Sequence, residues 1–350
     1  MVLANRYVSI EKEATFGTEP SGTQRFGEVE EESFQESFDL LKRVDMNRAG
    51  SAKATDAKHY AEGSLSMPLQ PDMFTMACLH GVYGSHVPGG TPGVADKFAD
   101  SVMTHASVPS YTFRVGRDDN EYTYTGQVIE SVSISASVGE YAMISFSTTG
   151  CKSLTTASSG AAIALGALGT PSYDYTGDAA HFVGCYVNFE DLATSSAYSK
   201  LVQSIDFEIT TSRDMDNSYG LGSDTCIRKP PMTLREITGN ITFHKATLSG
   251  DVAVDEPHFT ELLAGHLNAG DAVNPAISIL FQVDALNKIL FSFYKVHYEA
   301  PQTSVSGRDS QTMTVAFHAL FDDNNNGMSE VLFSSESTGL KGGAAVDLDA

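Results

Sequence analysis

Tryptophan is missing from this chain, cysteine occurs four times in 350 residues, and basic residues are half as frequent as acidic ones. Each shortage excludes something. Without tryptophan a glycan site lacks its usual stacking platform, which weighs against a β-sandwich hydrolase. Cys78, Cys151, Cys185 and Cys226 are far apart and form no C-x-x-C, so they make no disulfide framework and are expected to be buried thiols. Lys and Arg number 22 against 44 Asp and Glu, a net charge of −22. That balance disfavours wrapping nucleic acid, which draws on clustered cations. It suits a negatively charged channel or a protein from a salt-rich setting. Long apolar runs are also absent: the most apolar stretch, GAAIALGALG at 160–169, is well short of the ~20 residues a membrane helix needs. Residues 1–10 lack a basic start followed by an apolar run. An exported surface adhesin, the alternative of a different class, would be expected to carry such a signal.

Catalytic and metal signatures are lacking too. There is no H-E-x-x-H, no G-x-S-x-G and no P-loop, and Gly220-Leu221-Gly222 lacks the third glycine of a dinucleotide fingerprint. Glu30, Glu31 and Glu32 are consecutive in an expected strand and point to alternate faces. Asp322, Asn324, Asn326 and Gly327 match the start of a calcium loop, but its twelfth position is Phe333 rather than Glu. A polar turn is the expectation there. No enzyme and no cofactor are expected.

What is present is a pattern stated twice. Glu62-Gly63-Ser64-Leu65-Ser66-Met67, a helical segment near Phe74 and a hairpin ending near Phe146 have counterparts. These are Thr238-Gly239-Asn240-Ile241-Thr242-Phe243, a helical segment at 258–267, and a hairpin ending near Phe317. In the first half, strands are expected at 26–38, 63–69, 111–115 and 122–136, with a long polar loop over 39–61. Pro71 stops a strand and Asp72 caps a helix over 73–79, with Phe74, Ala77 and Cys78 on one face. The Gly-, Pro- and His-rich stretch 81–108 is expected to be loop. In the second half Ile205, Phe207 and Ile209 alternate with Ser204, Asp206 and Glu208. A second long loop spans 210–236, and strands are expected at 277–283, 289–298 and 312–320. The expected fold is mainly β (α+β): two duplicated β-sandwich or barrel modules, each with one short helix and a long loop. The expected modules are 1–152 and 181–326, with a linker at 153–180 and a C-terminal arm at 327–350. Open sheets expose unpaired edges, and joining copies in a ring would pair them.

The opening Glu13-Ala14-Thr15-Phe16-Gly17-Thr18-Glu19, followed by strand, long loop, Glu62-Gly63 strand and Pro-Asp-helix, resembles the major tail tube proteins of long-tailed bacterial and archaeal viruses. The resemblance is strongest over residues 7–84. It implies a sandwich subunit whose rings stack into a tube through which the genome passes. Tubes of this family usually have six units per ring, so two units per chain imply a trimeric, pseudo-hexameric ring, with a hexamer of chains as the alternative. The implied partners are the chain itself and other tail proteins such as the tape measure, terminator and baseplate. The implied place is the virion tail, assembled in the host cytoplasm, with DNA passing unbound and no membrane involved.

Two groups of residues fit such a role. Glu130, Asp206 and Glu208 are candidates for a channel face that repels phosphate. Lys42, Arg43, Arg48, Lys53 and Lys58 crowd the first long loop, and Arg213, Arg228, Lys229 and Arg235 fall in the second. On an acidic chain these are candidates for contacts with the neighbouring subunit or ring.

Overall fold

The computed structural model describes residues 6–21, 24–44, 46, 49–89, 95–100, 108–117, 120–157, 185–189, 202–244, 276–282, 287–299, 302–304, 312–325 and 327–334. The chain is mainly β, with a single α-helix among the described residues. The first half runs β1 (Tyr7–Lys12), β2 (Arg25–Gly27), β3 (Glu31–Glu32), β4 (Gln35–Val44), β5 (Ser51–Pro68), α1 (Met73–Tyr83), β6 (His86–Val87), β7 (Asp96–Ala99), β8 (Tyr111–Arg117), β9 (Asn120–Ser137) and β10 (Met143–Ala157). The second runs β11 (Tyr186–Phe189), β12 (Val202–Arg213), β13 (Met232–His244), β14 (Ile277–Gln282), β15 (Lys288–Phe293), β16 (Val296–Tyr298), β17 (Gln302–Ser304), β18 (Thr312–Ala319) and β19 (Ser329–Ser334).

Alternation decides the large sheet. Leu65, Val132, Ile134, Phe146, Ile205, Phe207, Ile209, Ile241, Val315 and Phe317 all point to one face and are buried, while their neighbours along each strand point the other way. The sheet runs in the order β16-β18-β13-β12-β9-β10-β5, with β3 and β4 both beside β5. Its middle joint, β12 with β9, links the two halves antiparallel from Ser204↔Ser137 to Thr210↔Ser131. β9 serves both layers. Its first part pairs with β8 and its last part with β12, and Gly126, at φ 66°, bends the strand at the bulge in the β8–β9 register between Tyr111 and Phe113. β1 continues from β8, so the sheet folds over α1.

Asp72 caps α1 by accepting the Thr75 N–H at 2.7 Å, and Gly84 closes it in the left-handed region at φ 76°. Every residue of the helix is buried. It therefore runs four residues past the expected 73–79, and an apolar stripe is not what defines it. A helix enclosed on all sides has no polar face to mark its register.

A second sheet, β11-β14-β15-β19-β7-β6, packs against the first. Phe207 meets Phe291 and Phe293 edge-on at 5.1 and 5.4 Å, and Phe293 meets Phe317 at 5.8 Å. This sheet mixes the halves, because β19 sits between β15 and the first half's β7. Residues 329–334 are thus an interior strand and not the start of a free C-terminal arm. Burial of Val331 and Phe333 fixes them there.

Several other expectations change. The stretch 26–38 is broken into β2, β3 and the start of β4, and 81–108 contains β6 and β7. The expected loop 39–61 is a hairpin: β4 pairs with β5 from Gln35↔Glu62 to Val44↔Ser51. Cys78 and Cys185 are free thiols, as expected, but Cys226 is disulfide-bonded. Asp322–Gly327 closes as a polar turn, with Asp322 accepting the Asn324 and Asn325 N–H groups. The second helix (258–267) and most of the linker lie outside the described residues.

Two buried polar centres hold this architecture. The Glu13 carboxylate accepts from Gly17 N at 2.8 Å, Gly126 N at 2.7 Å, Ser110 Oγ at 2.7 Å and Thr112 Oγ1 at 2.8 Å. It ties the opening motif to the bend in β9. Asp100 accepts from Met328 N and Ser329 N at 3.0 and 3.1 Å and faces Arg235 at 3.6 Å. That pair joins both halves in the interior, where burial raises the Asp100 carboxyl and lowers the Arg235 guanidinium.

Candidate functional site

The exposed face of the large sheet is a field of hydroxyls and carboxylates. Register aligns Ser66, Ser145, Ser133, Glu208, Thr238 and His318 in one transverse row. The next row on one side is Ser64, Ser147, Ser131, Thr210 and Glu236. Ser135, Asp206 and Asn240 lie in the row on the other side. Hydroxyls bridge strands: Ser131 to Ser147 at 2.8 Å, Ser145 to Ser66 at 3.1 Å, Thr242 to Thr314 at 3.1 Å. Asn240 donates to Asp206 at 2.8 Å. Glu62, Asp206, Glu208 and Glu236 supply negative charge, and no lysine or arginine occurs at these positions. At these positions phosphate would meet carboxylates and no lysine or arginine.

Asp206 and Glu208 lie exposed on this face, as expected. Glu130 differs. It sits where the β9–β10 register slips between Ser147 and Thr148 and is half-buried. Burial raises its carboxyl above the usual range, Arg213 opposes that shift, and Glu62 adds to it. It is a cleft residue beside the polar face more than part of its open field.

The basic residues divide. Lys42, Arg43 and Lys53 stand exposed on the β4–β5 hairpin, together with Phe38, Leu40, Leu41 and Val44. β10 pairs with β5 only from Ala61 onward. The ten residues before it therefore have β4 as their one strand partner, an arm of about 33 Å. Arg48 lies outside the described residues. Lys58 is at the arm's root, paired with Asp216 at 2.5 Å and lying over the Tyr219 ring. Tyr219 also donates to the His59 carbonyl, so the second long loop braces the arm.

Three of the second-half cations are not docking groups but internal ties. Arg235 is almost wholly enclosed, donates to the Val82 carbonyl and lies over the Tyr83 ring. Arg213 donates to the Ile129 carbonyl at 3.2 Å, and burial, Arg235 and Glu130 leave it near pKa 10. Lys229, half-buried, donates to the Val108 carbonyl. Each crosses from the second half to the first, so their long reach is used inside the chain. Arg228 stays exposed and donates to the Asn217 carbonyl of its own loop at 2.9 Å.

Among the described residues no group of three or more His, Cys, Asp or Glu converges as a metal site would require. No helix among them is long and apolar enough to cross a membrane. A two-faced sheet, a buried helix and a protruding hairpin describe a part that fits other parts. The family model for phage tail tube proteins matches residues 4–319, nearly the whole chain.

The chain belongs to the phage tail tube protein family.

It is a structural, non-enzymatic protein of the virion tail. The match gives the adhesin alternative no support, and no curated protein is similar enough to this tail tube protein to match it. What sequence reasoning missed was the buried cationic ties and the Glu13 centre. The only prior signal of either was Glu13 within the opening motif.

Proposed function

We propose that three copies of this tail tube protein close into a pseudo-sixfold ring, that rings stack into the tube, and that the polar face of the large sheet lines the channel for the genome. The observation that carries this is the β9–β12 joint inside one chain.

Strand order supports a duplication. Along the large sheet, β16-β18-β13-β12 is followed by β9-β10-β5-β4. In each set the glycine-bearing strand, β13 or β5, lies between a return strand and an opening strand. Gly239 lies opposite Phe207, and Gly63 lies under Phe34. β1 begins Tyr-Val-Ser-Ile and β11 reads Tyr-Val-Asn-Phe, and each pairs with the next outer strand, β8 or β14. On this reading β12–β9 is the joint between two like units. The same joint between chains sets the β3–β4 edge of one copy against the β16–β17 edge of the next. Head-to-tail contacts of this kind close into rings, and closure removes both open edges.

The dimensions fit. Eight strand positions per chain give about 24 in a trimer. At ~4.8 Å spacing the backbone wall has a diameter near 37 Å before tilt widens it. Side chains reaching ~6 Å inward leave about 25 Å, enough for a duplex whose two grooves together are about 16 Å deep.

Other tail proteins at the tube's ends and lumen, such as the tape measure, terminator and baseplate, and assembly in the host cytoplasm belong to this reading. The −22 charge suits a virus of a salt-loving host, since salt screens self-repulsion. The test is the mass of the smallest closed ring by native mass spectrometry. Three chains of 37.4 kDa give about 112 kDa. A ring of about 224 kDa would replace the trimer with the hexamer.

A further inference from the structure

Two of the cations that cross from the second half into the first keep a buried donor without an acceptor. Arg213 gives Nη2 to the Ile129 carbonyl at 3.2 Å, while its Nε is closed off from solvent and has no hydrogen-bond partner. Arg235 directs Nε to Thr211 Oγ1 at 3.3 Å and Nη2 to the Val82 carbonyl. Its Nη1 makes no hydrogen bond and lies 3.6 Å from the Asp100 carboxylate. The Arg235 side chain is only 6% exposed. Native interiors rarely leave such donors unmatched, because a desolvated N–H on a charged group is costly.

Register brings the two guanidiniums together. Thr211 of β12 stands opposite Arg235 of β13. Arg213 follows two residues on, on the same inward face, where the register slips. The two arginines are therefore diagonal neighbours, a separation that long side chains span. Burial and Arg235 together depress the Arg213 guanidinium, and burial and Arg213 together depress the Lys229 ammonium. The carboxylates that oppose these three cations are Asp100, facing Arg235, and Glu130, near Arg213. Three against two leaves the enclosure positive. A water molecule could accept an N–H there but would remove no charge, whereas an anion does both.

We infer that a chloride ion sits between Arg213 Nε and Arg235 Nη1 as a structural ligand that fastens the second half of the chain to the first. A halide suits the place because the Nε atom has no exposed surface through which a larger anion could reach it. The ion would join β12 and β13 to the Val82, Asp100 and Ile129 contacts of the first half. Chloride is also the anion that the salt-rich setting suited to a −22 chain supplies in excess.

The test is thermal unfolding of the full chain at a constant ionic strength of about 0.3 M, with sodium gluconate replaced stepwise by sodium chloride. Screening is then fixed, so a specific ligand shows as a midpoint that rises with the logarithm of chloride above half-saturation. The wild-type midpoint is expected to rise in this way. Arg213→Gln is expected to lose the rise, its gluconate baseline recording whatever the substitution costs in folding. Glu130→Gln, which removes the carboxylate opposing Arg213, is expected to keep the rise and to lower half-saturating chloride about tenfold. Equal wild-type midpoints in chloride and gluconate put water in place of the ion and overturn the inference. An undiminished rise in Arg213→Gln overturns it too. Should that variant not fold, a Glu130→Gln titration no tighter than wild type does the same.

Discussion

Putting lysines on the polar face of the large sheet should turn a tube that passes DNA into one that holds it. Glu62, Asp206, Glu208 and Glu236 are four of the carboxylates on that face, a sum of −4 per chain over these positions. Glu62→Lys, Asp206→Lys and Glu208→Lys together change this from −4 to +2, or to +6 for a ring of three. The three positions are exposed, so the fold should survive with little more than the loss of the Asn240–Asp206 and Gln35–Glu62 bonds. If about six lysines per ring meet phosphates, the logarithm of the binding constant falls with log salt at a slope near −5. Raising salt from about 50 to 200 mM then weakens binding about a thousandfold. The assay is fluorescence anisotropy of a labelled short duplex with assembled tubes. Wild-type tubes should show no binding and variant tubes steeply salt-dependent binding. Variant tubes that take up no more duplex than wild type would refute the placement of this face along the channel.

Three further outcomes follow from the interior. Arg235→Leu leaves Asp100 buried without its cation and should cost about 3–5 kcal/mol in urea unfolding, with much recovered in Asp100→Asn/Arg235→Leu; a loss under 1 kcal/mol would contradict the tie between halves. Burial, the main cause, raises the folded-state pKa of Asp100 above its usual 3.8 even against Arg235 and the Ser329 and Met328 N–H groups. The folded chain therefore holds this proton longer. Its contribution is complete below 3.8 and lost as pH climbs through the raised value, so Asp100→Asn should flatten the stability profile just above pH 3.8. Glu13→Gln sets an amide among four donors and should lower stability by about 3 kcal/mol or more, read from the thermal midpoint; an unchanged midpoint would show that the opening motif does not act through this carboxylate.

Much of the fold was legible where one face of a strand is buried. Ile205, Phe207 and Ile209 announced β12, and Asp72 announced the start of α1. The arm was not legible for a plain reason. Both faces of its outer part are solvated, so Leu40, Lys42, Leu41 and Arg43 show no alternation of apolar and polar residues. β19 was missed because Ser329–Ser334 follows a polar turn, and its partner β7 is more than 200 residues away. The candidate site was legible in kind and partly in detail. Asp206 and Glu208 stand on the polar face, and Lys42, Arg43 and Lys53 stand on the arm. Arg213, Lys229 and Arg235 were mistaken for surface groups because a sequence does not reveal that a long cationic side chain ends on a distant carbonyl.

Cryo-electron microscopy of assembled tubes bears most directly on the central claim. The expected map has three chains per ring, with the β3–β4 edge of each beside the β16–β17 edge of its neighbour and Glu208 facing the channel. Six chains per ring, or Glu208 on the outer wall, would contradict it.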